Sequence, residues 1–223
     1  MVTKAIKACA AMGAASLILC SCGEASSQER YQDNVAGVVE LRGSVDESNF
    51  DYASAWFVSP TLLVTCFHAI GNSEGEASIF DDLGVRFFDE NEYTSVTMVD
   101  FDSAEDIALL SYKGSHSRKS FGLAAECRTG EFCFNIGNFN NYGLSYKEGL
   151  VSLSSVNMEY NGMKQSFIQC TLGIGPGDSG SPILNESNEV LGMVAYRSRN
   201  NAGTVEQNFC YGIPSSRIGS AVN

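Results

Sequence analysis

The chain has 223 residues, with 14 lysines and arginines against 26 aspartates and glutamates, a net charge of −12 and 44% hydrophobic residues. That length suffices for one large domain or two small lobes with a real core. Such acidity is repelled by phosphate backbones and anionic lipid surfaces, so nucleic acid is not an expected partner and membrane contact would need an attached lipid.

The first residues carry Lys4 and Lys7, then an apolar run from Ala8 to Leu19, then small residues. The run is too short to span a bilayer and has the layout of an export signal. Leu19-Cys20-Ser21-Cys22 resembles the lipobox of bacterial lipoproteins, in which cleavage before the last cysteine leaves it to be acylated. Residues 1–21 are then a signal peptide, Cys22 is the lipidation site, and residues 22–34 are a polar N-terminal tether. The alternative is an ordinary secretory signal cut near Ala25 to Ser27. Both place the protein in the cell envelope or outside the cell.

The sequence then runs through short apolar segments separated by turn residues. Strands are predicted over 35–43, 54–60, 62–66, 84–88, 95–101 and 107–112, then over 132–137, 149–156, 165–172, 190–196 and 209–214. No amphipathic helix longer than about three turns interrupts them, and this pattern predicts a β-barrel or sandwich protein. The polar stretch KGSHSRKS, 113–120, is the natural link between two similar halves, 35–117 and 118–218, with 219–223 as a tail.

Five cysteines follow Cys22: Cys66, Cys127, Cys133, Cys170 and Cys210. Export permits disulfides, and an odd count leaves one thiol over. Cys127 and Cys133 bracket the turn RTGEF and are the first expected pair; Cys170 and Cys210 are the second. The C-x5-C spacing of Cys127 and Cys133, with no histidine nearby, lacks the rhythm of a zinc site, and no metal or other cofactor is expected.

Two histidines narrow the chemistry. His116 sits in the charged linker, whereas His68 follows the apolar LLVTCF, where a buried strand ends. The nucleophile candidate is Ser179, in GPGDSGSP. Both histidines precede it, which rules out the serine, acid, histidine order of the α/β-hydrolases, and Ser181 breaks their G-x-S-x-G elbow. No cysteine has a histidine far downstream, so a papain-like order also fails. Of the remaining orders, that of subtilisin would need an α/β fold, whereas His, Asp, Ser fits the β-rich pattern, and Asp106, directly before the apolar strand IALLSY, supplies the acid.

TCFHAI, DIALL and GDSGSP resemble the His, Asp and Ser motifs of the chymotrypsin-like serine peptidases. The detail is similar to the bacterial HtrA (Deg) branch: FVSPTLLVTCFHAI, TGEFCFNIGNFNNYGLSYKEGLVS, IQCTLGIGPGDSGSPILNESNEVLGMVAY and YGIPSS occur in its order, from about residue 35 to 218. The resemblance implies an all-β fold of two six-stranded antiparallel barrels with the active site between them. His68 and Asp106 would come from the first barrel and Ser179 from the second, with the Gly177 and Ser179 amides as oxyanion hole. Gly173, Val194, Ala195, Tyr196 and Cys210 would line the substrate pocket, which lacks an acid for binding Arg or Lys. The stretch GMVAYRS has no histidine of the kind that glutamyl endopeptidases use, so small or medium apolar side chains are the expected preference, with Arg197 able to narrow the cleft.

Two departures matter. HtrA proteins usually have Asn before the nucleophile, whereas here it is Asp178, which digestive proteases pair with a new amino terminus made by activation cleavage. No matching start occurs near residues 28–40, so the sequence leaves the partner of Asp178 open. The chain also ends at Asn223, directly after the protease unit, where HtrA chains continue into PDZ domains. The expected protein is an exported serine endopeptidase, monomeric, acting on protein or peptide substrates. The alternative is a catalytically idle protease fold serving as a binding module.

Overall fold

The computed structural model describes residues 25–44, 49–71, 79–80, 82–114, 119–160, 162–199 and 205–222. The signal segment, Cys22 and His116 lie outside the described residues.

Among the described residues, twelve strands form two closed antiparallel barrels. The first contains β1 (Val38–Ser44), β2 (Phe50–Ser59), β3 (Leu62–Thr65), β4 (Asp82–Arg86), β5 (Thr94–Asp102) and β6 (Ile107–Tyr112), in the order β1-β2-β3-β6-β5-β4. The second contains β7 (Phe132–Gly137), β8 (Ser145–Tyr160), β9 (Met163–Cys170), β10 (Pro182–Leu184), β11 (Val190–Arg199) and β12 (Val205–Pro214), in the order β10-β11-β12-β9-β8-β7. Counted from its own first strand, each half closes with the same neighbours, so the two halves share one topology. The expected all-β architecture of paired six-stranded barrels is the one observed.

The apolar runs read as continuous because several strands are buried on both faces. Along β6, Ala108, Leu110 and Tyr112 enter the first barrel while Ile107 and Leu109 face the second. Along β2, Ala53, Ala55 and Phe57 point inward, and Trp56 points at the interface. Period-two alternation therefore puts one set of apolar side chains into a barrel and the other between barrels. Inside the first barrel Phe57 stacks on Phe87 at 5.9 Å and meets Tyr112 edge-on at 5.3 Å. Trp56, Phe134, Phe167, Met193 and Ile213 belong to the layer shared by the two barrels. That layer fixes the barrels against each other and so sets the distance across the cleft.

Several expectations needed correction. The tether 22–34 contains an α-helix, α1 (Ser27–Asn34), because Ser26 and Glu29 form a reciprocal capping box that satisfies the first free amides. Tyr31 OH donates to Leu144 O at 3.2 Å, tying this helix to the second barrel. The expected boundary at 218 falls inside a second helix, α2 (Ser215–Val222), whose Ile218 is buried. The sequence pattern does not mark β10, since only three residues follow the Ser179 turn before the next loop. Neither expected disulfide is present: Cys66, Cys127, Cys133, Cys170 and Cys210 are all thiols. Cys133, Cys170 and Cys210 lie fully buried within the second barrel, filling it as small apolar side chains, with Cys127 packed against their cluster.

Candidate active site

His68 sits on the short 3-10 turn Phe67–Ala69 that follows β3. Asp106 stands at the mouth of β6 with φ at 59°, a left-handed conformation that Asp tolerates better than most side chains. The Phe67 N–H donates to Asp106 O at 3.2 Å, which clasps the two segments together. The His68 backbone N–H donates to Asp106 Oδ1 at 2.8 Å, and His68 Nδ1 lies 2.8 Å from Asp106 Oδ2. On the other side of the ring, His68 Nε2 lies 3.1 Å from Ser179 Oγ. The Asp106 side chain is 2% exposed and that of His68 is 35% exposed, so the carboxylate is sealed while the imidazole faces the cleft. The structure thus brings together in one hydrogen-bonded row the three residues that the motifs single out.

The turn carrying Ser179 is shaped by glycine. Gly177 has φ at 89° and Gly180 at 84°. A Cβ on Gly177 would meet Asn138 O at 2.1 Å, and one on Gly180 would meet Ser54 O at 2.2 Å. Among the described residues, no acceptor stands against the Gly177 or Ser179 N–H. Two free donors beside a hydroxyl are the arrangement that a developing oxyanion needs.

Ser54 was not anticipated. Its hydroxyl donates to Gly177 O at 2.8 Å and accepts from Asn138 N–H at 2.9 Å, while its own N–H donates to Ser179 O at 2.9 Å. A residue of the first barrel therefore fastens the Ser179 turn of the second. The available signal was a serine inside the apolar segment YASAWFV, on the same strand face as Trp56.

The structure identifies the partner of Asp178 as Lys147 on β8. Lys147 Nζ donates to Asp178 Oδ1 at 2.7 Å, and the Gly175 N–H donates to Oδ2 at 2.8 Å. Asp178 has no exposed surface, and burial pushes its carboxyl above the ordinary range while Lys147 pulls it back down. Gly137 makes room for this pair, since a Cβ there would lie 2.5 Å from Asp178 Oδ1.

A cleft of about 360 Å³ next to the turn is lined by Phe139, Asn140, Gly173, Ile174, Pro176 and Arg197. Of the expected pocket residues, Gly173 lines it. Val194 and Cys210 are buried in the core of the second barrel and Ala195 in the layer between barrels. Tyr196 directs its hydroxyl to Asp106. One charged group, Arg197, stands among the lining residues, and no acid does.

Residues 53–193 match the family described as a trypsin-like peptidase domain. A probable periplasmic serine endoprotease, DegP-like, from Rickettsia prowazekii (strain Madrid E) is 27% identical over 146 residues, which are 63% of this chain and 27% of that protein. The serine protease Do-like HtrB of Bacillus subtilis (strain 168) is 29% identical over 110 residues, 46% of this chain and 24% of the relative. The matched region thus spans about a quarter of these relatives. Among solved structures, an M. tuberculosis protease in its active form superposes with a TM-score of 0.72 at 16% identity, covering 86% of this chain and 81% of that one. An HtrA-type protease solved with a tripeptide gives a TM-score of 0.72 at 20% identity, covering 89% and 62%.

Proposed function

The chain belongs to the trypsin-like peptidase domain family, and from that premise we propose that it is an exported serine endopeptidase whose catalytic residues are His68, Asp106 and Ser179. The observation that carries the reading is the unbroken row from Asp106 Oδ2 through both His68 ring nitrogens, at 2.8 and 3.1 Å, to Ser179 Oγ.

In this reaction Ser179 Oγ attacks a peptide carbonyl as His68 Nε2 takes its proton. Asp106 holds the Nδ1–H tautomer and stabilises the imidazolium. The Gly177 and Ser179 amides receive the negative charge on the carbonyl oxygen. His68 then protonates the leaving amine, and water, deprotonated by the same ring, releases the acyl group from Ser179. The Asp178–Lys147 pair supports the turn, so no activation cleavage is needed to give Asp178 a partner. The substrates are envelope proteins or peptides, in line with relatives named periplasmic endoproteases. Cys22 is the point of lipid attachment.

The test is labelling of purified protein with a fluorophosphonate probe, followed by hydrolysis of an unfolded protein substrate. Wild type should label at Ser179, and Ser179→Ala should lose both labelling and turnover, the latter by about 10⁴-fold or more. Folded wild-type protein that neither labels nor cleaves would overturn the reading and leave the fold as a binding module.

A further inference from the structure

We propose that Tyr196 is a positioning residue whose hydroxyl holds Asp106 in register with His68 and tempers the basicity of that histidine. The inference rests on the triad reading above.

The Asp106 carboxylate accepts three hydrogen bonds. Oδ1 takes the His68 backbone N–H, while Oδ2 is shared between His68 Nδ1 and the Tyr196 hydroxyl. Two of these donors belong to the first barrel; Tyr196, on β11, is the one from the second among the described residues. The row must align across the cleft, since Ser179 is on the second barrel and Asp106 on the first. A hydroxyl reaching from β11 to Asp106 ties the acid to the element that also grips the nucleophile turn, because Gly180 N–H donates to Val194 O at 2.9 Å.

Local structure aims the hydroxyl. The pairing of β11 with β12 shifts register between Val194 and Tyr196, so Ala195 is an extra residue that bends the strand. The Tyr196 ring then packs against Tyr160 at 4.5 Å and edge-on against Phe167 at 5.5 Å, with the His68 ring 5.7 Å away. These contacts leave the ring in one place. Burial and the neighbouring Asp106 charge push the phenol far above its ordinary range, so it remains a donor at every working pH.

The chemical consequence arises at the shared oxygen. A second donor on Oδ2 stabilises the carboxylate charge and weakens its hold on the His68 Nδ1–H. Without the phenol, the carboxylate binds the imidazolium more strongly and the His68 pKa rises. His68 must be neutral to accept the Ser179 proton, so the acid limb of activity moves to higher pH. Among the described residues, the other titratable groups facing this pair are the buried Cys66 thiol, which donates to Val194 O at 3.2 Å, and Tyr160 behind Tyr196; Glu105 is turned to Arg217.

The experiment is an NMR titration of histidine ring nitrogens in the Ser179→Ala protein with and without Tyr196→Phe. The chain has only two histidines, so His116 is the internal reference. Tyr196→Phe should raise the His68 pKa by about half a unit or more and leave His116 in place. In the enzyme with Ser179, the acid limb of kcat/KM should rise by the same amount, with kcat down about tenfold and KM changed far less. A ring-fluorinated tyrosine at position 196 keeps the shape and strengthens the donor, so it should move the His68 pKa the other way. An unmoved His68 pKa in both folded variants, or an effect confined to KM, would overturn the proposal. The titration needs no turnover, so its failure is distinct from failure of the protease reading, which appears as unlabelled wild type.

Discussion

Replacing Lys147 with methionine removes the cation from a carboxylate that has no exposed surface and leaves most of the alkyl stem in place. Breaking one side of a buried pair commonly costs about 3–5 kcal/mol, because the remaining charge is left without compensation. An exposed pair would cost at most about 1 kcal/mol. The Lys147 side chain is 14% exposed and Asp178 fully buried, so the buried figure applies, softened by the Gly175 N–H that still serves Oδ2. We expect about 3 kcal/mol, seen as a fall in melting temperature of about 6–12 °C for a domain of this size. The penalty should depend on pH. Burial already raises the Asp178 carboxyl, and losing Lys147 raises it further. A group whose folded pKa is raised in this way binds its proton more tightly when folded. The variant is therefore least penalised near about pH 4, and the penalty grows as pH rises through the raised folded value, then levels off. Urea denaturation of wild type, Lys147→Met, Asp178→Asn and the double variant at several pH values gives the coupling directly. A coupling below about 1 kcal/mol at about pH 8, or a penalty that shrinks with rising pH, would refute the argument. Since Asp178 anchors the turn that carries the Gly177 and Ser179 amides, kcat should fall more than KM rises.

The same geometry sets other expectations. Gly177→Ala puts a Cβ at 2.1 Å from Asn138 O at a φ of 89°, so the turn must rearrange; fluorophosphonate labelling should slow about 100-fold or more, and near-wild-type labelling would count against the oxyanion role. Ser54→Ala leaves the Asn138 N–H and Gly177 O without their shared partner, for a loss of about 1–3 kcal/mol in denaturation and a drop in kcat; a neutral result would show that the inter-barrel clasp carries no weight. Titration with a thiol reagent in denaturant, without reductant, should find Cys66, Cys127, Cys133, Cys170 and Cys210 all free. In the native protein the half-buried Cys127 should react ahead of the four buried thiols, yet slowly, because burial pushes it to about 11; a disulfide recovered by mass mapping would contradict the packing.

The architecture was legible where it depended on pattern. Short apolar segments with turn residues between them place eleven of the twelve observed strands, and only β10, three residues long, escaped. The order of TCFHAI, DIALL and GDSGSP singles out His68, Asp106 and Ser179. Helix α1 was missed although Ser26 and Glu29 have capping-box spacing, because its polar composition reads equally well as a tether.

Period and local chemistry are written into the chain directly: strands buried on both faces, a turn that requires glycine at Gly177, and a histidine, an aspartate and a serine in an order that differs from other hydrolase plans. Which side chains meet is a property of the folded barrels alone. Lys147 reaches Asp178 from 31 positions away, Ser54 reaches Gly177 from 123, and Tyr196 reaches Asp106 from 90. Each meeting depends on barrel closure, strand register or a bulge, and none leaves a periodic trace in the chain. The cysteines show the same division. Their spacing suggested two bridges, but in the folded barrel three of them fill the core as apolar side chains, and packing there is set by the neighbours that closure supplies.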